Sequence, residues 1–204
     1  MTHTLHRRGT AESLSGDYVF IMIQAVGINE DGAVPKMQEF LRIALRHKPV
    51  NIGSVDLGGR IDQPEEVIAN LQKIAHVVFD NQPAVIAFLK DVKKADLGLS
   101  VVVSGIFEKV DECLEKAGLK HHTANFSLGV WGRTEKLPGN DILEVITMCG
   151  HALISSNLVK AMIEDIKAGR KTPQEAAKVL MPQCACGVFN PARAAKLLAA
   201  MAKK

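Results

Sequence analysis

In the first half of the chain, short apolar β-forming runs alternate with stretches whose apolar residues recur at helical spacing. Tyr18 to Val26 reads as a buried strand, and Gly27, Asn29, Asp31 and Gly32 mark the loop after it. Pro35 then suits the first turn of a helix carrying Met37, Phe40, Leu41, Ala44 and Leu45 on one face. Val50 to Val55 reads as a second strand, Leu57 to Arg60 as a turn, and Pro64 as the start of a helix bearing Val67, Ile68, Leu71 and Ile74. A third unit joins His76–Phe79 to a helix that Asn81-Gln82-Pro83 opens and that carries Val85, Phe88, Leu89 and Val92. The three consecutive valines of Leu99–Val103 favour the pleated conformation, and Ile106, Phe107, Val110, Cys113 and Leu114 form the next helical stripe. Such alternation predicts a layered α/β fold whose sheet is mostly parallel or mixed.

After Thr134 the pattern becomes helical. Ile142, Val145, Ile146 and Met148 lead into Cys149-Gly150-His151, and a helix from about Asn157 stops at Gly169. Thr172-Pro173-Gln174-Glu175 is a capping box with proline at the first helical position, Pro182 ends that helix, and Asn190-Pro191 starts the last one. With no repeat and no linker, the 204 residues read as one domain, 1–134 forming the α/β layer and 135–204 a helical cap.

Four cysteines are too few for a disulfide framework in a chain of this length. Cys113 falls on an apolar helical stripe and reads as core. The other three lie at helix breaks, Cys149 beside His151 and Cys184-Ala185-Cys186-Gly187 just before the helix that begins at Pro191. The positive end of that helix favours thiolates, and Gly150 and Gly187 permit close approach to a bulky group. Three thiolates with an open position suit a site-differentiated iron–sulfur cluster, a [4Fe–4S] form among them, held by Cys149, Cys184 and Cys186. His151 can instead complete a Cys₃His zinc site. A third reading is a redox or sulfur-transfer dithiol at Cys184 and Cys186.

Thr147 to His151 together with Cys184-Ala-Cys-Gly-Val-Phe-Asn-Pro-Ala-Arg193 resembles the C-terminal signature of a little-characterised family of small proteins from anaerobic microbes, as does Asn125 to Lys136. The resemblance implies no particular activity; an anaerobic setting suits an oxygen-sensitive cluster.

His121 to Leu128 alternates as a strand does, with His121, Thr123, Asn125 and Ser127 on one face and His122, Ala124, Phe126 and Leu128 on the other. The polar face, followed by Trp131 and Arg133, suggests a pocket in which Arg133 grips a carboxylate or phosphate. Ser104-Gly105, directly after the valine run, lies where open α/β sheets bind ligands, and Ser104 reads more simply as a helix cap. Asp17, Glu30 and Asp31 offer carboxylates that spacing pairs with no base. Motifs for nucleotide-binding loops, zinc proteases and serine hydrolases are absent from the sequence.

The net charge is +3, with 25 basic and 22 acidic residues spread along the chain and one Tyr and one Trp, so the footprint of a nucleic-acid binder is missing. No apolar run is long enough for a membrane span, and Tyr18–Val26 is too short and too far in for a signal peptide, which predicts a cytoplasmic protein. A homo-oligomer is compatible with this composition. The leading expectation is an iron–sulfur protein. As an enzyme it would be a lyase or dehydratase acting on a small anionic substrate, with Arg133 as anchor and His121 or His151 as acid or base. The alternatives are a non-enzymatic protein with a structural zinc site, and the dithiol protein.

Overall fold

The first strand is buried along almost its whole length: Tyr18, Val19, Phe20, Ile21 and Met22 are each at most 1% exposed. A run without polar alternation has two faces to cover, and this one lies inside a sheet with a helical layer on each side. The computed structural model describes residues 2–55 and 57–204. After a 3₁₀ turn at Thr2–His6 come α1 (Ala11–Leu14), β1 (Tyr18–Ile23), α2 (Ala33–Arg46), β2 (Asn51–Ser54), β3 (Gly58–Gly59), α3 (Pro64–Ala69), β4 (Ile74–Phe79), α4 (Gln82–Ala95), β5 (Ser100–Ser104) and α5 (Phe107–Lys116). The C-terminal part supplies α6 (Asn140–Ile146), α7 (Ser156–Lys167), α8 (Pro173–Leu180) and α9 (Pro191–Ala202). Among the described residues no helix is long and apolar enough to cross a membrane.

The sheet has the order β3-β2-β4-β1-β5, and every neighbouring pair is antiparallel. This corrects the expectation of a mostly parallel or mixed sheet. The helical crossovers were legible, and the strands they join, β1 with β2 and β4 with β5, do run parallel to each other. They are not neighbours, however. β4 inserts between β1 and β2, and β1 inserts between β4 and β5, so two split β-α-β units interleave and all the ladders become antiparallel. The expected α/β layering stands.

One face of the sheet presents Tyr18, Phe20 and Met22 to α2, α4 and α5. There Phe88 meets Phe20, Phe40 and Phe79 with ring centroids 5.1–5.2 Å apart. Cys113 is buried in this layer, as its place on the α5 stripe predicts. Val19, Ile21 and Val78 face the other way, into a core built by α6 to α9 that also contains Cys149, Cys184 and Cys186. The capping box of α8 forms as read, Thr172 and Glu175 each accepting from the other's backbone N–H. Ser104 differs from expectation. It caps no helix, and its hydroxyl lies 2.6 Å from that of Thr4.

The strand expected at 121–128 does not form. From Lys120 to Lys136 the chain leaves α5 and crosses the surface as an exposed arm, with no ladder to any strand among the described residues. Alternation supplies a face to bury, but a strand also needs an edge to pair with, and in the isolated chain this segment reaches none.

Candidate functional site

The two cysteine loops are brought together by a buried ionic cluster. Asp17, at the entrance to β1, has a fully buried carboxylate that accepts from Arg7 at 2.5 and 2.6 Å, from Asn190 at 3.0 Å and from Arg193 at 3.2 Å. Arg7 carries its second amino group onward to the carbonyls of Met148 and Val188, one in each loop. Arg193 also donates to the Arg8 carbonyl at 2.6 Å and reaches Glu144. Burial alone would pull the Arg193 pKa down, and does so, against the opposing effect of Asp17. Asn190 caps α9 by accepting from the Arg193 N–H at 2.9 Å. The Asn-Pro-x-Arg tail of the signature is therefore structural: it locks the start of α9 to the first strand.

The Cys184–Gly187 loop is pressed against the outer edge of the sheet. Asn51 of β2 donates to the carbonyls of Gly187 and Phe189 at 3.1 and 3.0 Å. Gly187 adopts φ +74°, and a Cβ there would lie 2.8 Å from the Gly53 Cα and from the Gly58 carbonyl oxygen. Glycine is required for both reasons.

Within this frame the sulfurs meet. The Cys149 thiol is hydrogen-bonded with that of Cys184, and the Cys184 and Cys186 sulfurs are 3.7 Å apart. The Cys186 sulfur is in turn 3.7 Å from Nδ1 of His151. All three cysteines are reduced, and they are 1%, 0% and 2% exposed in chain order, whereas His151 lies at the surface. Backbone N–H groups also converge on them: His151 and Leu153 on Cys149, Val188 on Cys184, and Val188 with the Cys186 amide itself on Cys186.

These bonds divide the thiols. The hydrogen bond between Cys149 and Cys184, together with burial, pushes the Cys149 pKa far up. Cys184 is pulled down by its bond with Cys149, but its bond with Cys186 and its burial outweigh that and leave it raised. The bonds with Cys184 and with the Val188 backbone lower the Cys186 pKa despite burial. The three sulfurs follow one another in a string that ends at the one nearest the imidazole. Strung in this way, no three or more His, Cys, Asp or Glu side chains among the described residues are arranged to hold a metal ion. Metal would have to displace the thiol protons and turn the side chains inward.

The sequence reading placed Cys149, His151, Cys184 and Cys186 together, and the structure does the same. It does not bring His121 or Arg133 to them. His121 is exposed and paired with Asp111 of α5 at 2.9 Å, in the layer across the sheet from the cysteines. Arg133 is exposed at the end of the arm and makes no ion pair among the described residues. A surface cleft of about 470 Å³ lined by Arg7, Arg8, Gly9, Thr10, Asn140 and Glu144, and another of about 290 Å³ beside Asp91, contain none of the cysteines. The Arg7–Asp17–Arg193 cluster was not anticipated. The available signal was Arg193 itself, a charged residue set among Ala194, Ala195 and Leu198 on a helix face that is otherwise apolar.

No family model, curated protein or solved structure matches this chain.

Proposed function

We propose that the protein is a metal–thiolate protein in which Cys149, Cys184, Cys186 and His151 bind one soft metal ion, zinc by preference. The ion would staple the C-terminal helices to the sheet edge of an interaction protein. The observation that carries the reading is the gathering of three buried cysteines beside His151, with 3.7 Å between the Cys184 and Cys186 sulfurs and 3.7 Å from Cys186 to His151 Nδ1; backbone N–H groups beside the sulfurs support it. Such donors gain little from a neutral thiol and much from a thiolate, which is the form a metal binds. In a tetrahedral site with bonds of about 2.3 Å to sulfur and about 2.0–2.1 Å to nitrogen, two sulfurs stand about 3.8 Å apart, and sulfur and nitrogen about 3.6 Å. The two contacts at 3.7 Å are close to both values, and Cys149 would have to turn toward them to complete the set. Softness of the donor set favours zinc over harder ions.

A second reading keeps the iron–sulfur cluster on the three cysteines. It is favoured by the exposure of His151, which leaves that side of the site open to solvent. It also demands that the thiolates spread, because each would hold a different iron.

The test is metal and acid-labile sulfide analysis of protein purified without oxygen, beside Cys184→Ser. The proposal expects about one zinc per chain and no sulfide, with the zinc lost in the variant and the C-terminal half unfolding on chelation. Iron with sulfide selects the cluster, and a chain free of both metals refutes the metal reading.

A further inference from the structure

Two features of the surface complement each other. The first is the arm. His122, Ala124, Phe126 and Leu128 occupy one face of its alternating run, ahead of Gly129 at φ +105°. Phe126 is 66% exposed, Leu128 79% and Trp131 83%. Monomers rarely leave so much apolar surface in one short segment. The second is β5, at the end of the sheet, which pairs with β1 alone among the described residues. Its sequence, Ser-Val-Val-Val-Ser, contains neither charge nor proline, the devices that usually blunt an open edge. Exposed apolar side chains stand at both ends of that edge. Val26 and Ile28 lie in the loop after β1, which Asn29 ties to Gly98, and Phe107 begins α5.

We infer that the protein is an arm-exchanged homodimer, in which residues 122–128 of each copy add as a strand to β5 of the other. The arm is patterned as a strand but has no edge to pair with, and the β5 edge has no strand on its outer side among the described residues, so reciprocal exchange satisfies both and closes with two-fold symmetry. Docked in this way, the apolar face of the arm continues the layer that ends at Val101, Val103 and Phe107, while Thr123, Asn125 and Ser127 stay toward water. Two exchanged arms would bury on the order of 1,000 Å² from their own apolar side chains, the size at which specific interfaces begin.

Sedimentation equilibrium of the full chain from about 1 to 100 µM tests this. The comparison is with a triple variant, Phe126→Ser, Leu128→Ser and Trp131→Ser, whose replaced side chains are all exposed in the single chain. Hydrogen exchange of the β5 amides in both proteins gives the second readout. The expected result is a dimer for the natural sequence, a monomer that keeps the helical circular dichroism signal for the variant, and exchange at residues 100–104 at least tenfold faster in the variant. A natural chain that stays monomeric throughout, a variant that still dimerises, or β5 exchange that does not change would overturn the inference.

Discussion

Replacing Asp17 by Asn keeps the side chain's shape and removes the charge that Arg7 and Arg193 share. The three side chains are at most 6% exposed, so water cannot take over. The carboxylate accepts four hydrogen bonds, two from Arg7 and one each from Asn190 and Arg193. An amide retains a single oxygen and turns its NH₂ toward donors. Glu144 reaches only Arg193, at 3.4 Å, and is itself partly exposed, so it neutralises little of the excess. Breaking a buried ion pair from one side costs about 3–5 kcal/mol, a large part of the roughly 5–15 kcal/mol that holds a domain together. With a urea dependence near 2 kcal/mol/M, the unfolding midpoint should fall by about 1.5–2.5 M, read by circular dichroism. Arg60→Ala, which removes an exposed pair with Glu66, serves as the control and should cost less than about 1 kcal/mol. An Asp17→Asn loss as small as the control's would mean that the cluster does not hold the cysteine loops.

Further outcomes follow from the same geometry. Gly187→Ala should destabilise by about 2 kcal/mol or more, since the new methyl meets backbone at 2.8 Å in a left-handed conformation; an unchanged melting curve would count against the close packing of loop and sheet. Asn51→Ala strands the carbonyls of Gly187 and Phe189 and should cost about 1–3 kcal/mol in the same assay. The metal-free protein should lose stability in alkali. Cys149 has a pKa raised by its bond to Cys184 and by burial, so its contribution is complete below the ordinary thiol value of 9.0 and fades as the pH rises above it. Comparing urea midpoints at neutral and alkaline pH should therefore show a smaller drop for Cys149→Ala than for the natural chain, and equal drops would refute the assignment. Cys186, whose pKa is lowered by its bond with Cys184, should be the first of the three to react with an alkylating agent as pH is raised; labelling that begins at Cys149 would contradict the order.

Local patterning located the four long strands and most of the helices, because each element buries a face whose period is written in consecutive residues. The turn read at Leu57–Arg60 contains β3, two glycines whose pairing with β2 no propensity would suggest. Strand order was not legible. A crossover helix reveals that β1 and β2 are parallel, and nothing in either run tells that β4 lies between them. The same limit explains the arm: residues 121–128 carry the strand period, but period does not name a partner. At the site, the cysteines were legible from their spacing and their place at helix breaks. Their holder was not, since Arg7, Asp17 and Arg193 are joined across 176 residues between Asp17 and Arg193, and a lone charged residue declares no partner. His121 and Arg133 were grouped with the cysteines on chemistry alone, and the sheet stands between His121 and the sulfurs.

The proposed site has three cysteines and a histidine, held by the Asp17 cluster and the glycine-lined sheet edge, around one metal ion. X-ray absorption of the protein purified without oxygen reads the element and its neighbours together. The expected result is a zinc edge with three sulfur atoms at about 2.3 Å and one nitrogen at about 2.0–2.1 Å. A first shell without sulfur, or no bound metal at all, would contradict it.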